Sequence, residues 1–252
     1  MRSDPGIYTN NYRKGGVMPP LILVNQLKFK YDDGTAALNG VDFRLDAGET
    51  VALLGENGSG KTTFALHLNG LLTGEGTVEV CGLPVNTNNA VTVRRKIGLV
   101  FQDSDSQLFM PTVLEDVAFG PLNHGLSPEK AAERALIALE QVGMAGLAGK
   151  APYHLSAGQK KRVAIAGILA VDPEILVLDE PTTFLDPPGQ RALAHLLAGL
   201  PQAKILITHD IPFARATCTR AVFFKGGLIR QEGTIDEVTT TQDWEFRPRR
   251  AE

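Results

Sequence analysis

Cysteine is scarce in this chain: Cys81 and Cys218 are the only two among 252 residues. Set far apart in apolar stretches, they read as reduced structural thiols, not as the framework of a disulfide-stapled domain. Charge of one sign is equally lacking. A formal net charge of −3 supplies no basic field to draw the chain to nucleic acid or to an anionic lipid surface. No run of 18 apolar residues occurs, which excludes a membrane-spanning helix. The opening MRSDPGIYTNNYRKGG has no apolar segment and does not read as a secretory signal. It is expected to be a disordered leader over 1–18, with Met18 as an alternative start, and a loose tail is expected over 239–252. No internal repeat or low-complexity tract appears.

What is present is enough chain for one large domain with a subdomain. LILVNQLKFKY (21–31), VDFRLDAGETVALLG (41–55), TVEVCGLPV (77–85) and KIGLVFQ (96–102) are strand-like runs broken by Asp-Gly and Ala-Gly turns. A helix is expected over 61–72. From 103 to about 170 the pattern is helical, as in SPEKAAERALIALEQVG. Strand and helix then alternate through EILVLDE, GQRALAHLLAGL and AKILITHD. Short apolar strands alternating with helices indicate a mainly parallel α/β sheet, and the helical block reads as an inserted subdomain.

Gly55-Glu56-Asn57-Gly58-Ser59-Gly60-Lys61-Thr62 follows a strand and opens a helix, the context that G-x-x-x-x-G-K-[ST] requires. Its glycines let successive backbone N–H groups curl inward to cradle phosphates, and the helix N-terminus adds its dipole. Lys61 is expected on the β and γ phosphates and the Thr62 hydroxyl on Mg²⁺, with Thr63 completing the loop. An apolar strand ending in Asp179 would supply the carboxylate that holds the cation through water. Glu180, next along, is placed to orient or deprotonate an attacking water.

Taken together, GENGSGKT, LSAGQ, ILVLDEP, Leu185-Asp186 and His209 after ILIT resemble the ATP-binding cassette (ABC) ATPase, over residues of about 20 to 235 in matching order. The resemblance implies a RecA-like α/β core, an N-terminal antiparallel β subdomain and a helical subdomain, in an ABC domain over 19–238. It implies head-to-tail homodimers with two ATP molecules at the seam and Mg²⁺ as cofactor. It also implies roles: Tyr31 stacked on adenine, Gln102 on Mg²⁺ and the attacking water, and His209 reaching the γ-phosphate. Ser156, Ala157, Gly158 and Gln159 would face the partner's nucleotide, and Asp186 would sit in the loop crossing between protomers. Asp186 before Pro187 also fits a helix N-cap, and both readings hold together. Ala157 stands where the family more often has glycine, and Phe184 where a small residue is common.

Lys61 and Leu155 stand 94 positions apart, too close for the coiled coil of chromosome-organising and repair members. Two readings remain: the energy-supplying subunit of a membrane transporter, or a soluble accessory ATPase of iron–sulfur assembly. VFQDSDSQLFMPTVLEDVAFGPLNHGL (100–126) resembles the energy-coupling-factor importers of cobalt, nickel and vitamins, as does QKKRVAIAG. Asp103-Ser104 and Ser106 depart from that group's Asn-Pro and Asp. The resemblance implies a transmembrane coupling subunit, substrate-binding membrane subunits and a peripheral place on the cytoplasmic membrane face. The apolar set Leu108, Phe109, Met110, Val113 and Leu114 either packs inside the helical subdomain or forms a groove for a partner helix. Within LSAGQKKRVAIAG (155–167), Ser156 and Gln159 fit a capping box. Lys160, Lys161 and Arg162 are expected to form a mostly solvated helix face.

Overall fold

A computed structural model describes residues 19–242. Strand β1 (Ile22–Lys30) turns at Tyr31–Thr35 into β2 (Ala36–Leu45), the Tyr31 N–H donating to the Thr35 carbonyl at 3.0 Å. β3 (Thr50–Gly55) is buried over its whole length and leads through the phosphate loop into α1 (Lys61–Leu68). β4 (Glu75–Val80) and β5 (Leu83–Pro84) follow and complete an antiparallel sheet of order β2-β1-β4-β5. After α2 (Ala90–Lys96) comes β6 (Ile97–Val100).

The helical block holds a short 3₁₀ turn at Ser104–Gln107, α3 (Val113–Asn123), α4 (Pro128–Gln141) and α5 (Ala157–Leu169). Its starts are written in side chains: Thr112 with Glu115 and Ser156 with Gln159 form capping boxes, and Ser127 caps α4 with Pro128 at the first helical position. β7 (Ile175–Asp179), α6 (Pro187–Gly199), β8 (Ala203–Ile207), α7 (Ile211–Thr217), β9 (Arg220–Lys225), β10 (Leu228–Gly233) and α8 (Ile235–Thr241) complete the chain order.

Six strands in the order β10-β9-β3-β8-β7-β6 form the central sheet, parallel throughout except for the β9–β10 hairpin. Its inner strands are continuous apolar runs because both faces are covered. Alternate residues of β7 divide between two cores. Ile175 and Val177 join the layer that holds Phe43, Phe64 and Phe224 between the sheets. Leu176 and Leu178 join the layer under α3, α4 and α5. All four parallel strands that carry motifs end on one edge, where an open α/β sheet binds ligands.

The fold is the expected α/β class, with mixed central and antiparallel N-terminal sheets. Three expectations are revised. The helix expected to 72 stops at Leu68, with Asn69 as C-cap before left-handed Gly70. Ordered structure passes the boundary at 238, since α8 runs to Thr241 and buries Thr239. The basic triplet is no solvated face: Lys161 is 3% exposed and Lys160 and Arg162 are half-buried. The leader and most of the tail lie outside the described residues.

Candidate nucleotide site

The phosphate loop is shaped by close backbone approach. A Cβ on Gly55 would stand 2.2 Å from the Phe224 carbonyl oxygen, and one on Gly60 2.5 Å from that of Ala37; their φ angles are +137° and +107°. Only glycine satisfies both conditions. The Lys61 ammonium folds back across the loop, donating to the Gly55 carbonyl at 2.6 Å and the Glu56 carbonyl at 2.8 Å. Burial lowers its pKa, and the nearby carboxylates of Glu180, Asp179 and Glu56 oppose that shift. The Thr62 hydroxyl donates to Asp179 Oδ2 at 2.9 Å. Burial raises the Asp179 pKa, against the Thr62 hydrogen bond.

Glu180 leaves the end of β7 with φ +44°, a strained conformation for a residue with a side chain. Its N–H still donates to the Ile207 carbonyl at 2.8 Å, the last ladder bond between β7 and β8. His209 Nδ1 lies 2.9 Å from Glu180 Oε2, yet that oxygen has no aligned hydrogen-bond donor. The contact is one of distance, with an imidazole 70% exposed against a carboxylate 12% exposed.

Tyr31 stands at the mouth, its hydroxyl 2.9 Å from Thr63 Oγ1 and its ring edge-to-face on Phe29 at 4.9 Å. Tyr31, Gly58, Lys61, Thr62, Gln102 and Asp179 all border one cavity of about 310 Å³. The signature does not join them. Ser156, Gly158, Gln159, Phe184 and Asp186 line a separate cleft of about 470 Å³ that has no lining residue in common with the first. There Asp186 caps α6 by accepting from the Gly189 N–H at 2.9 Å, Ala157 is exposed, and Phe184 is 81% exposed at φ +65°.

Three contributors escaped the sequence reading. The β9–β10 turn braces the loop, the Gly227 N–H donating to the Ser59 carbonyl at 3.1 Å. Asn39 holds that turn through the Gly226 carbonyl at 2.9 Å. Lys161 donates to the Gln102 carbonyl at 2.8 Å. The paired glycines Gly226-Gly227 were the available signal for the first; the other two have none in their own neighbourhoods.

A glycine-shaped loop with a lysine, a hydroxyl–carboxylate pair and a strand-end glutamate on a parallel sheet define a P-loop nucleotide triphosphatase. The family model for the ABC transporter matches residues 38–183. A Streptomyces avermitilis protein described as an ABC transporter ATP-binding protein is 53% identical over 88% of this chain and 85% of its own. The energy-coupling factor transporter ATP-binding protein EcfA of Methanosphaera stadtmanae is 46% identical over 90% and 84%. Among solved structures, cbiO1 of Clostridium perfringens, part of the ABC transporter complex cbiONQ, matches with TM-score 0.80 and 37% identity over 89% and 92%. The chain belongs to the ABC transporter family. It is an ATP-binding subunit that hydrolyses ATP to drive transport.

Proposed function

We propose that this chain powers a membrane importer of the energy-coupling-factor kind, carrying cobalt or nickel ions or a vitamin, through closure and reopening of a head-to-tail homodimer on ATP. The observation that carries the dimer is the separation of the two clefts. The family gathers the phosphate loop and the signature around one triphosphate, and one copy holds them in different places. A second copy, turned head to tail, brings Ser156 and Gly158 to the nucleotide held by its neighbour's Lys61.

In that arrangement the loop N–H groups and the α1 N-terminus take the phosphates, while Lys61 exchanges its carbonyl partners for phosphate oxygens. Tyr31, fixed by Thr63, lies against the adenine. Glu180 accepts a proton from a water that attacks the γ-phosphorus in line; the bond to the bridging oxygen breaks, giving ADP and phosphate. His209, beside Glu180, contacts the γ-phosphate. The Thr62 hydroxyl, the Asp179 carboxylate and the Gln102 amide form an all-oxygen set that suits Mg²⁺. When bound, that ion supplies charge neutralisation on the phosphates.

Support for the membrane partner lies on the helical subdomain. Val113 packs in its core and Leu108 and Leu114 pack against it, whereas Phe109 is 62% exposed and meets Phe119 edge-to-face at 5.0 Å. Phe109, Phe119 and Leu122 are the residues to receive a helix of the transmembrane coupling subunit, placing the chain on the cytoplasmic membrane face. Likeness to EcfA and cbiO1 supports the importer class.

Glu180→Gln is expected to cut Mg-ATP turnover by about 10²-fold or more while ATP still binds. Equal turnover in variant and wild type would sink the assignment of Glu180. Labelled Co²⁺ or Ni²⁺ uptake by the reconstituted complex tests the cargo, and capture of soluble partners alone from detergent-solubilised membranes overturns the importer.

A further inference from the structure

We infer that Lys161 is a positioning residue that ties the backbone of Gln102 to the helix carrying the signature, so that occupancy of one nucleotide site sets the turn offered to the other. This rests on the homodimer reading above. The sequence offers Lys161 as the middle of a basic triplet, yet its side chain is not spent on solvent. It runs inward from α5, five residues past the Ser156 cap, and is 3% exposed.

Its ammonium donates to the Gln102 carbonyl at 2.8 Å and to the Phe101 carbonyl at 3.3 Å. A buried ammonium needs such acceptors. They come from a segment 59 and 60 positions away, so the pairing joins two elements and not two turns of one helix. Burial lowers the Lys161 pKa, and Asp103 and Asp179 counter that shift.

The surrounding contacts keep the joined segments in step. Gln107 accepts from the Phe101 N–H at 2.8 Å and donates to the Leu99 carbonyl at 3.1 Å, locking the chain as it leaves β6. Lys160 pairs with Asp105 at 2.5 Å. α5 is thus bound to the chain leaving β6 by two adjacent lysines, Lys161 at Phe101 and Gln102 and Lys160 at Asp105 in the 3₁₀ turn. Gln102 borders the nucleotide cavity of its own chain, while Ser156 and Gly158, at the start of the same α5, border the other cleft. A shift of Gln102 on contact with its own nucleotide pulls on Lys161, and through it on the α5 N-terminus. Hydrogen-bonded networks of this kind transmit because their members cannot move singly.

The test uses full-length protein with Lys161→Met, which removes the donors, and with Lys161→Gln and Lys161→Arg, which return neutral and charged donors. Nucleotide binding to the monomer is read with a fluorescent ATP analogue, and dimerisation against ATP by sedimentation in the Glu180→Gln background. Lys161→Met is expected to leave monomer binding within about threefold and to raise the ATP needed for half-dimerisation by about tenfold, the scale of an ordinary coupling free energy. Lys161→Gln should recover part of that and Lys161→Arg most.

A lysine that only stabilises the fold predicts that both readouts follow the melting temperature and recover on cooling. That result, or dimerisation matching wild type in all three variants, overturns the link. If Lys161→Met does not fold, the Gln and Arg variants decide on the same criterion. If the Glu180→Gln protein with native Lys161 does not dimerise with ATP, the homodimer reading fails instead.

Discussion

Burial lifts the Asp179 carboxyl above its ordinary 3.8, with the Thr62 hydroxyl, Glu180 and Lys61 acting around it. The consequence for stability has a definite sign. Between 3.8 and the raised native value the folded state holds more protons than the unfolded state, so this group's contribution falls as pH rises through that window. Above it, the buried carboxylate opposes folding of the nucleotide-free chain. Asp179→Asn keeps an oxygen for the Thr62 hydroxyl and removes the charge. It is expected to raise the melting temperature at pH 7 more than at pH 4, in calorimetry without nucleotide. A gain of equal size at both values would refute this account. Lys61, Thr62, Asp179 and Glu180 were legible in sequence because each belongs to a short contiguous motif with its own local geometry. Lys161 was not. Its acceptors are carbonyls 59 and 60 positions away, and no local pattern distinguishes an inward lysine from a solvated one.

At the level of elements, the joint between α5 and β6 is the tightest tested by a single atom. A Cβ on Gly98 would lie 1.8 Å from the Ile168 Cγ2 methyl. Isoleucine is branched at Cβ and cannot swing that methyl away cheaply. Gly98→Ala is expected to destabilise by roughly 1–3 kcal/mol, as overpacked cores do, measured by urea denaturation at unchanged m-value. A loss below about 0.5 kcal/mol would mean that α5 slides freely on the sheet. The start of α5 was readable from Ser156 and Gln159, since a capping box needs only residues three apart; the caps at Thr112 and Ser127 emerge from the structure. The antiparallel β9–β10 hairpin and its brace were harder. Asn39 and Gly226 are 187 positions apart, and their meeting follows from β1 and β2 folding over β3, a tertiary event with no period in the chain.

Considered whole, the molecule presents the phosphate loop and the signature on separate clefts, and a variant can spoil one without touching the other. Ser156→Arg places a bulky cation in the signature cleft, more than 90 positions from the phosphate loop in sequence and outside the nucleotide cavity. It is expected to abolish turnover by about 10²-fold or more while monomer affinity for ATP stays near wild type in equilibrium binding. Mixed with an excess of Lys61→Ala chains, it should regain part of its activity, because each mixed dimer carries one intact composite site. Absence of any recovery, with mixed dimers verified, would argue against composite sites.

The folded-back Lys61 ammonium, bonded to the carbonyls of Gly55 and Glu56, has a further consequence. The loop neutralises its own carbonyl dipoles with its own cation. Recognition there is an exchange reaction in which two internal bonds are surrendered for external ones, and the net gain is small for each bond exchanged. An anion that engages only Lys61 therefore gains little, whereas one long enough to satisfy the loop N–H groups, the helix end and the freed ammonium together gains from all three. In the proposed role of the loop, a chain of three phosphates gains more from it than a single phosphate does.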